Sequence, residues 1–333
     1  MRLLAIESSC DESALAVVHD TGSRLVVERE VISSQIALHA LYGGVVPELA
    51  SREHLKNLPL LFDQLSQSHN LSSIDGIVVT TGPGLQGCLL MGTCFAEGVA
   101  RALGKKLYGV NHIEGHLFAA WLENTEIQFP CITLVVSGGH TEIILVSKPG
   151  SYQILARSRD DAAGEAFDKS AYLLGFPYPG GRYLAEAADS VEHSPFVLPK
   201  VMQEGDAFSF SGLKTAIRLL VQKQDVENLQ IRNELCSSVQ AAIVEELVKK
   251  VLFQAQRLCC YEIVVTGGVA ANSRLRRRLQ AEESLQVHFP STRYCTDNAA
   301  MIAAAALLRF RYGVPPSESL KVQPGWRIEN GAA

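Results

Sequence analysis

The sequence predicts an α/β protein of two lobes built on one repeated plan. Three observations predict it. Its 333 residues exceed what a single hydrophobic core ordinarily serves. Two stretches, residues 3–18 and 131–146, each read as a strand, a polar turn and a second strand. After each opening, apolar runs suited to buried strands alternate with segments of helical period, the signature of stacked helix and sheet layers. The expected boundaries are 1–130 for the first lobe and 131–297 for the second. A helix over 298–312 is expected to pack back on the first lobe, and residues 313–333 to form a tail. A cleft is expected between the lobes.

Taken in order, residues 3–6 and 14–18 are strands joined by the turn Ser8-Ser9-Cys10-Asp11-Glu12, and residues 25–32 add a third across Thr21-Gly22. Pro47 starts a helix whose Leu55, Leu58, Leu61, Phe62 and Leu65 recur at helical spacing. Residues 76–80 are continuously apolar, as a buried parallel strand requires, and Gly82-Pro83-Gly84 breaks the chain before a helix over 87–103. A strand over 107–110 leads into a helix opened by Asn111. In the second half, strands over 131–136 and 142–146 are followed by helices over 164–174, 182–190, 211–224 and 228–258. Residues 262–266 form a buried strand, Ser273 opens another helix, and an Ala-rich helix covers 299–309.

Composition narrows the function classes. A hydrophobic content of 47% and a charged content of 20% describe a soluble globular chain. The apolar stretches are too short to span a bilayer, and the amino end reaches Glu7 too soon for a signal peptide, so no membrane association is expected. The eight cysteines contain no C-x-x-C pair, which argues for reduced thiols in a cytoplasm rather than a disulfide frame or zinc knuckle. A net charge of −5 means that any nucleic-acid binding needs a local basic patch, for which Arg274, Arg276, Arg277 and Arg278 are candidates, or a partner protein. A solvated helix face is the plain alternative for that run.

The chain is best organised around Asn111-His112-Ile113-Glu114-Gly115-His116. Histidines at i and i+4 share a helical face, so both imidazoles can reach one cation, although the same spacing describes ordinary polar residues at a helix start. Asn111 stands where an N-cap belongs and Glu114 three residues on, as in a capping box. The general-base Glu that follows the first His in H-E-x-x-H proteases is replaced by Ile113. Ser137-Gly138-Gly139-His140 can bring backbone N–H groups against an anion, or can simply be a tight hairpin. Gly267-Gly268 lies between a strand and a helix, where a nucleotide can meet a helix N-terminus, and Gly180-Gly181 forms a third pair. Asp168 lies beyond the first turn of its helix and can accept from a ribose. Ser209-Phe210-Ser211-Gly212-Leu213-Lys214-Thr215 suits an anion or a helix cap.

Together with Asp160-Asp161-Ala162-Ala163-Gly164-Glu165-Ala166-Phe167-Asp168-Lys169, Gly267-Gly268-Val269-Ala270-Ala271-Asn272 and Cys295-Thr296-Asp297-Asn298, these motifs resemble the tRNA N6-adenosine threonylcarbamoyltransferase family, formerly labelled O-sialoglycoprotein endopeptidases. The resemblance runs from the first strand to about Arg311. It implies a two-lobed, internally duplicated actin-like or hexokinase-like ATPase (ASKHA) fold. It supplies Asp297 as a third metal ligand beside His112 and His116, for one divalent ion, iron(2+) by family habit, while ligand types alone permit zinc, iron or manganese. It places substrate on Val135, Val136, Ser137, Gly138, Gly139, Asp168, Gly181 and Asn272. Ala185 departs from the acidic residue common in relatives. The implied reaction moves a threonylcarbamoyl group from threonylcarbamoyl-AMP to the exocyclic amine of adenosine-37 in tRNAs reading codons that begin with adenine. Asp11 or Glu12 is a candidate proton acceptor. The implied partners are tRNA, a shorter paralogous subunit of TsaB type and a small ATPase of TsaE type. An ATP-dependent kinase or ATPase of the same fold is the alternative.

Overall fold

A computed structural model describes residues 1–198 and 207–330; the last three residues of the expected tail, 331–333, lie outside the described residues. The chain resolves into two compact units. The first comprises Met1–Phe129, Val146–Tyr152 and Pro290–Ala333, the second Pro130–Leu145 and Gln153–Phe289. Residues 146–152 and 290–297, which the sequence boundaries assign to the second lobe, therefore group with the first unit.

In the first unit, β1 (Arg2–Glu7), β2 (Glu12–Asp20) and β3 (Leu25–Ser34) form an antiparallel meander. A short α1 (Ile36–Ala40) precedes α2 (Pro47–Ser68), which begins with proline in its first turn, where a missing N–H costs nothing. Then come β4 (Gly76–Gly82), α3 (Gln86–Leu103), β5 (Lys106–Asn111) and α4 (His112–Phe118). Both β1–β4 and β4–β5 pair in parallel, giving the order β3-β2-β1-β4-β5. Every residue of β4 is buried, which explains its unbroken apolar run. One face of the sheet closes over a core of Leu4, Ile6, Leu58, Leu65, Ile77 and Val79.

The second sheet holds β6 (Cys131–Val136), β7 (Thr141–Lys148) and β8 (Ser151–Arg157). Helices α5 (Ala163–Leu173), α6 (Gly181–Asp189), α7 (Ser211–Val221) and the 30-residue α8 (Leu229–Leu258) follow. They lead to β9 (Glu262–Thr266), α9 (Ser273–Gln280) and β10 (Gln286–His288). The sheet order is β10-β9-β6-β7-β8. Counting strands within each sheet, both read 3-2-1-4-5, so the duplication expected from the two openings is present in the topology.

Helix α10 (Ala299–Arg311) belongs to the first unit, where it packs on β1, β2 and α4. Its alanines let neighbouring backbones approach closely, and residues 299–308 are buried. Part of the tail is tied to the same unit: Gly109 N–H donates to Ser317 O at 2.8 Å and Gln323 N–H to Thr81 O at 2.8 Å.

Candidate functional site

The residues singled out by sequence fall into two groups, one in each unit. In the first unit, β5 delivers the chain into α4 through Asn111, whose side-chain oxygen accepts from Ile113 N–H (2.9 Å) and Glu114 N–H (3.3 Å). The expected N-cap is in place, and it fixes the start of the helix from which His112 and His116 project. Glu114 does not complete a capping box. It is buried, and its carboxylate accepts from Arg309 Nη1 at 3.2 and 3.4 Å and from the Tyr152 hydroxyl. Burial raises the Glu114 carboxyl, against the lowering pull of Arg309 and Tyr152.

The His112 and His116 rings are buried, 4.8 Å apart between centroids and nearly perpendicular at 87°. Asp297 arrives just before α10, whose N-terminus is fixed by Asn298 accepting from Met301 N–H (2.8 Å) and by Glu30 accepting from Ala300 N–H (3.1 Å). Asp297 Oδ1 lies 3.6 Å from His112 Nε2 and 3.2 Å from His116 Nε2. One ligand atom from each of the three residues falls within 4.8 Å of the others. Although nearly inaccessible, His116 makes no hydrogen bond through either ring nitrogen. An unsatisfied buried polar atom costs about 1–3 kcal/mol, and a cation between the three side chains would remove that cost. The donor set, two imidazoles and one carboxylate, therefore fits a divalent ion of the zinc or iron class.

Sequence reading missed Glu7. It ends the apolar strand β1 fully buried, accepting from Ser9 N–H (2.6 Å) and Thr80 Oγ1 (2.5 Å), and stands 3.2 Å from His112 Nδ1. A carboxylate behind Nδ1 holds that nitrogen protonated and leaves Nε2 for a metal. Its one signal was an acid closing a buried strand. In the ion-free site burial would raise Glu7 and lower His112, but their mutual attraction prevails. Glu7 is held below the usual carboxylate range, while Asp297 and Glu7 lift His112 to about 9. Of the two candidate proton acceptors, Glu12 accepts from Ser34 Oγ at 3.1 Å, and its carboxyl is raised by burial first and then by Asp297 and Asp11. Asp11 anchors the turn through its carbonyl, which accepts from Gln35 N–H at 2.9 Å.

In the second unit, Val135 and Val136 end β6 buried, and Ser137-Gly138-Gly139 follows as a turn closed by Ser137 N–H to His140 O (2.8 Å) and His140 N–H to Ser137 Oγ (3.1 Å). Gly138 and Gly139 are exposed, their N–H groups make no hydrogen bond among the described residues, and a Cβ on either would meet nothing within 4 Å. Two other glycines support the turn from behind. A Cβ on Gly164 would lie 2.5 Å from Ser137 O, and one on Gly267 2.3 Å from Val136 O. Gly267 also has φ +93°, a conformation L-residues rarely adopt. Gly267→Ala is thus expected to destabilise the second unit by at least about 2 kcal/mol, read as a lower midpoint in chemical denaturation.

Asp168 Oδ1 accepts from Gly181 N–H at 2.7 Å, so this carboxylate fastens the start of α6 to α5, and burial raises it despite that bond. Asn272 caps α9 by accepting from Leu275 N–H (3.0 Å) and donates to Gln240 Oε1 (2.7 Å). Ala185 lies on α6 and offers no polar group there. The Ser209–Thr215 segment already has an anion at its helix start. Asp160 accepts from Ser209 Oγ (2.5 Å), Phe210 N–H (2.7 Å) and Ser211 Oγ (2.8 Å). Of the basic run, Arg276 donates to Ala270 O (2.7 Å), Arg277 pairs with Asp189 and Arg278 with Glu245.

Comparison with known proteins follows the same lines. Residues 26–304 match the family model described as TsaD: tRNA N6-adenosine threonylcarbamoyltransferase. A relative of that description from Polaromonas naphthalenivorans (strain CJ2) is 45% identical over 342 residues, covering 98% of this chain and 96% of its own. One from Anaeromyxobacter sp. (strain Fw109-5) is 47% identical over 336 residues, covering 98% of this chain and all of its own. Among solved structures, T. kodakarensis HypF superposes with a TM-score of 0.64 at 14% identity, over 96% of this chain and 49% of that one. Component A of the Acidaminococcus fermentans (R)-2-hydroxyglutaryl-CoA dehydratase gives 0.53 at 15%, over 92% and 96%. These two likenesses concern the two-lobed fold alone.

Proposed function

The chain belongs to the tRNA N6-adenosine threonylcarbamoyltransferase family, and from that premise we propose how its residues divide the work. The reaction is transfer of the threonylcarbamoyl group from threonylcarbamoyl-AMP to N6 of adenosine-37 in tRNAs that read codons beginning with adenine. The donor is a mixed anhydride with a good leaving group, so the protein's main task is to hold a weak amine nucleophile beside the carbonyl.

In this reading the second unit binds the adenylate. The exposed N–H groups of Gly138 and Gly139 hold the phosphate, with Val135, Val136 and Ser137 forming the strand end that presents them. Asp168 sets the position of Gly181 at the start of α6, and Asn272 that of the strand-to-helix turn at Gly268; both turns face the nucleoside. In the first unit His112, His116 and Asp297 hold one divalent ion, iron(2+) first and zinc second, with Glu7 fixing the tautomer of His112. When bound, the ion stabilises negative charge developing on a donor oxygen. Asp11 and Glu12, side by side where the turn after β1 leads into β2, are the candidate proton acceptors.

The observation that carries this reading is the buried His116 without a hydrogen bond, set beside His112 and Asp297. A kinase or ATPase of the same fold has no use for that centre. Two further partners are proposed, a shorter paralogous subunit and a small ATPase. The outward face of α2 carries exposed Leu55 and Leu60, and α3 carries exposed Leu90, apolar surface suited to a protein partner. A cytoplasmic location fits the eight free cysteines, and no described helix is long and apolar enough to cross a membrane.

The deciding experiment is mass analysis of tRNA nucleosides after incubation of the chain with its partners, a donor-forming synthase, threonine, bicarbonate and ATP. The expected product is N6-threonylcarbamoyladenosine. ATP turnover with no modified nucleoside would favour the ATPase instead.

A further inference from the structure

The metal ligands come from two elements far apart in sequence, His112 and His116 on α4 and Asp297 at the head of α10, so their geometry depends on how α4 lies against α10. The structure joins these helices at two places. Near the head of α10, Gly115 faces Met301 and Ile302; a Cβ there would lie 2.7 Å from Ile302 Cδ1 and 3.1 Å from Met301 Cγ. Towards the other end, Glu114 meets Arg309 in a pair with side chains 4% and 8% exposed. Arg309 also donates to Val314 O (3.0 Å) and Pro315 O (3.4 Å), while Tyr152 donates to Glu114 and accepts from Gly150 N–H (2.7 Å). The two contacts on α10 are separated by two helical turns, about 10–12 Å at 1.5 Å per residue. On α4 the same contacts fall on the adjacent residues Glu114 and Gly115, so they hold α4 at one register from two places along α10.

A buried ion pair is a poor device for stability alone, because packed apolar side chains of similar volume usually serve as well or better. What it adds is directional, distance-dependent attachment at a single register. We propose that the Glu114–Arg309 pair, with Gly115 as the close contact, is a positioning device that sets the distance between the histidine pair and Asp297. This rests on the reading of those three residues as metal ligands. Glu114 and Arg309 are positioning residues and are not assigned contact with metal or substrate.

The test is titration of the full-length, metal-free chain with Co2+, following the ligand-field absorption that reports coordination geometry, alongside thermal denaturation. Glu114→Gln and Arg309→Met each leave one buried charge unpaired and should lower Tm. The double variant leaves none and should recover most of that loss. Positioning predicts that the double variant still binds Co2+ at least tenfold more weakly than wild type, with an altered spectrum, as changes behind metal ligands generally do. Leu65→Ala, on the buried face of α2, should lower Tm and leave Co2+ affinity unchanged. Should the double variant not fold, Arg309→Lys, which keeps the charge and loses the planar fork, is read in the same way. Co2+ binding within twofold of wild type in the folded variant, with an unchanged spectrum, overturns the inference and leaves the metal reading standing. A wild-type chain that binds no Co2+ overturns both.

Discussion

Replacing His116 by alanine is expected to reduce bound metal from one ion per chain to background while leaving the fold intact. Neither ring nitrogen of His116 makes a hydrogen bond, although Nε2 lies 3.2 Å from Asp297 Oδ1, so the variant loses packing and that one contact. The imidazole that remains, His112, keeps its Glu7 and Ser9 contacts through Nδ1, but one imidazole and one carboxylate leave the ion a ligand short. The linkage follows: a ligand that binds only the folded state stabilises it by RT ln(1 + [L]/Kd), about 2.7 kcal/mol at a hundredfold excess over Kd. Added metal should therefore raise Tm in the wild type and leave His116→Ala unmoved. Elemental analysis and paired melting curves decide the matter, and full occupancy in the variant would remove His116 from the ligand set.

The parts of this molecule legible in sequence are those written locally. The unbroken apolar run of β4 and the cap at Asn111 each carry their signal within a few residues. The duplication could be read because strand, turn and strand recur in the same order. Elements without local contrast were missed: β8 mixes tyrosine, glutamine and arginine among its apolar residues, β10 has three residues, and α1 is a single turn. The larger misreading concerns Glu114. Its spacing from Asn111 describes a capping box, yet Arg309 lies 195 residues away in sequence and takes the carboxylate. No local pattern distinguishes a surface cap from a buried ion pair. The same limit applied to Glu7, whose partner His112 is 105 residues distant, and to Asp160, which fills the helix start at Ser211 from 51 residues away.

Glycines show the same limit and its use. In sequence Gly138 and Gly267 are both halves of a Gly-Gly pair at the end of a strand, and both look fit to approach an anion. The structure separates them: a Cβ on Gly267 strikes Val136 O, whereas one on Gly138 enters open space. The first glycine is required by the protein's own backbone. The second is not, so any requirement for it comes from outside the chain.

That difference makes Gly138→Val the sharpest probe of the nucleotide turn. The valine side chain meets no described atom in its first position, φ at Gly138 lies outside the left-handed region, and neighbouring Gly164 and Gly267 continue to hold the strand end. The variant is therefore expected to fold with near wild-type circular dichroism, Tm and metal content. Its branched side chain would stand over the N–H groups of Gly138 and Gly139, where the adenylate phosphate is proposed to rest, and would exclude an anion from hydrogen-bond distance. Binding of AMP, or of a stable threonylcarbamoyl-AMP analogue, should weaken more than tenfold, above about 1.4 kcal/mol. Gly267→Val supplies the contrast, since it should lower stability in the absence of any ligand. Isothermal calorimetry on the folded Gly138→Val chain gives the answer directly. Unchanged nucleotide affinity there would mean that the turn is a hairpin and nothing more, and that the phosphate of the donor is held elsewhere.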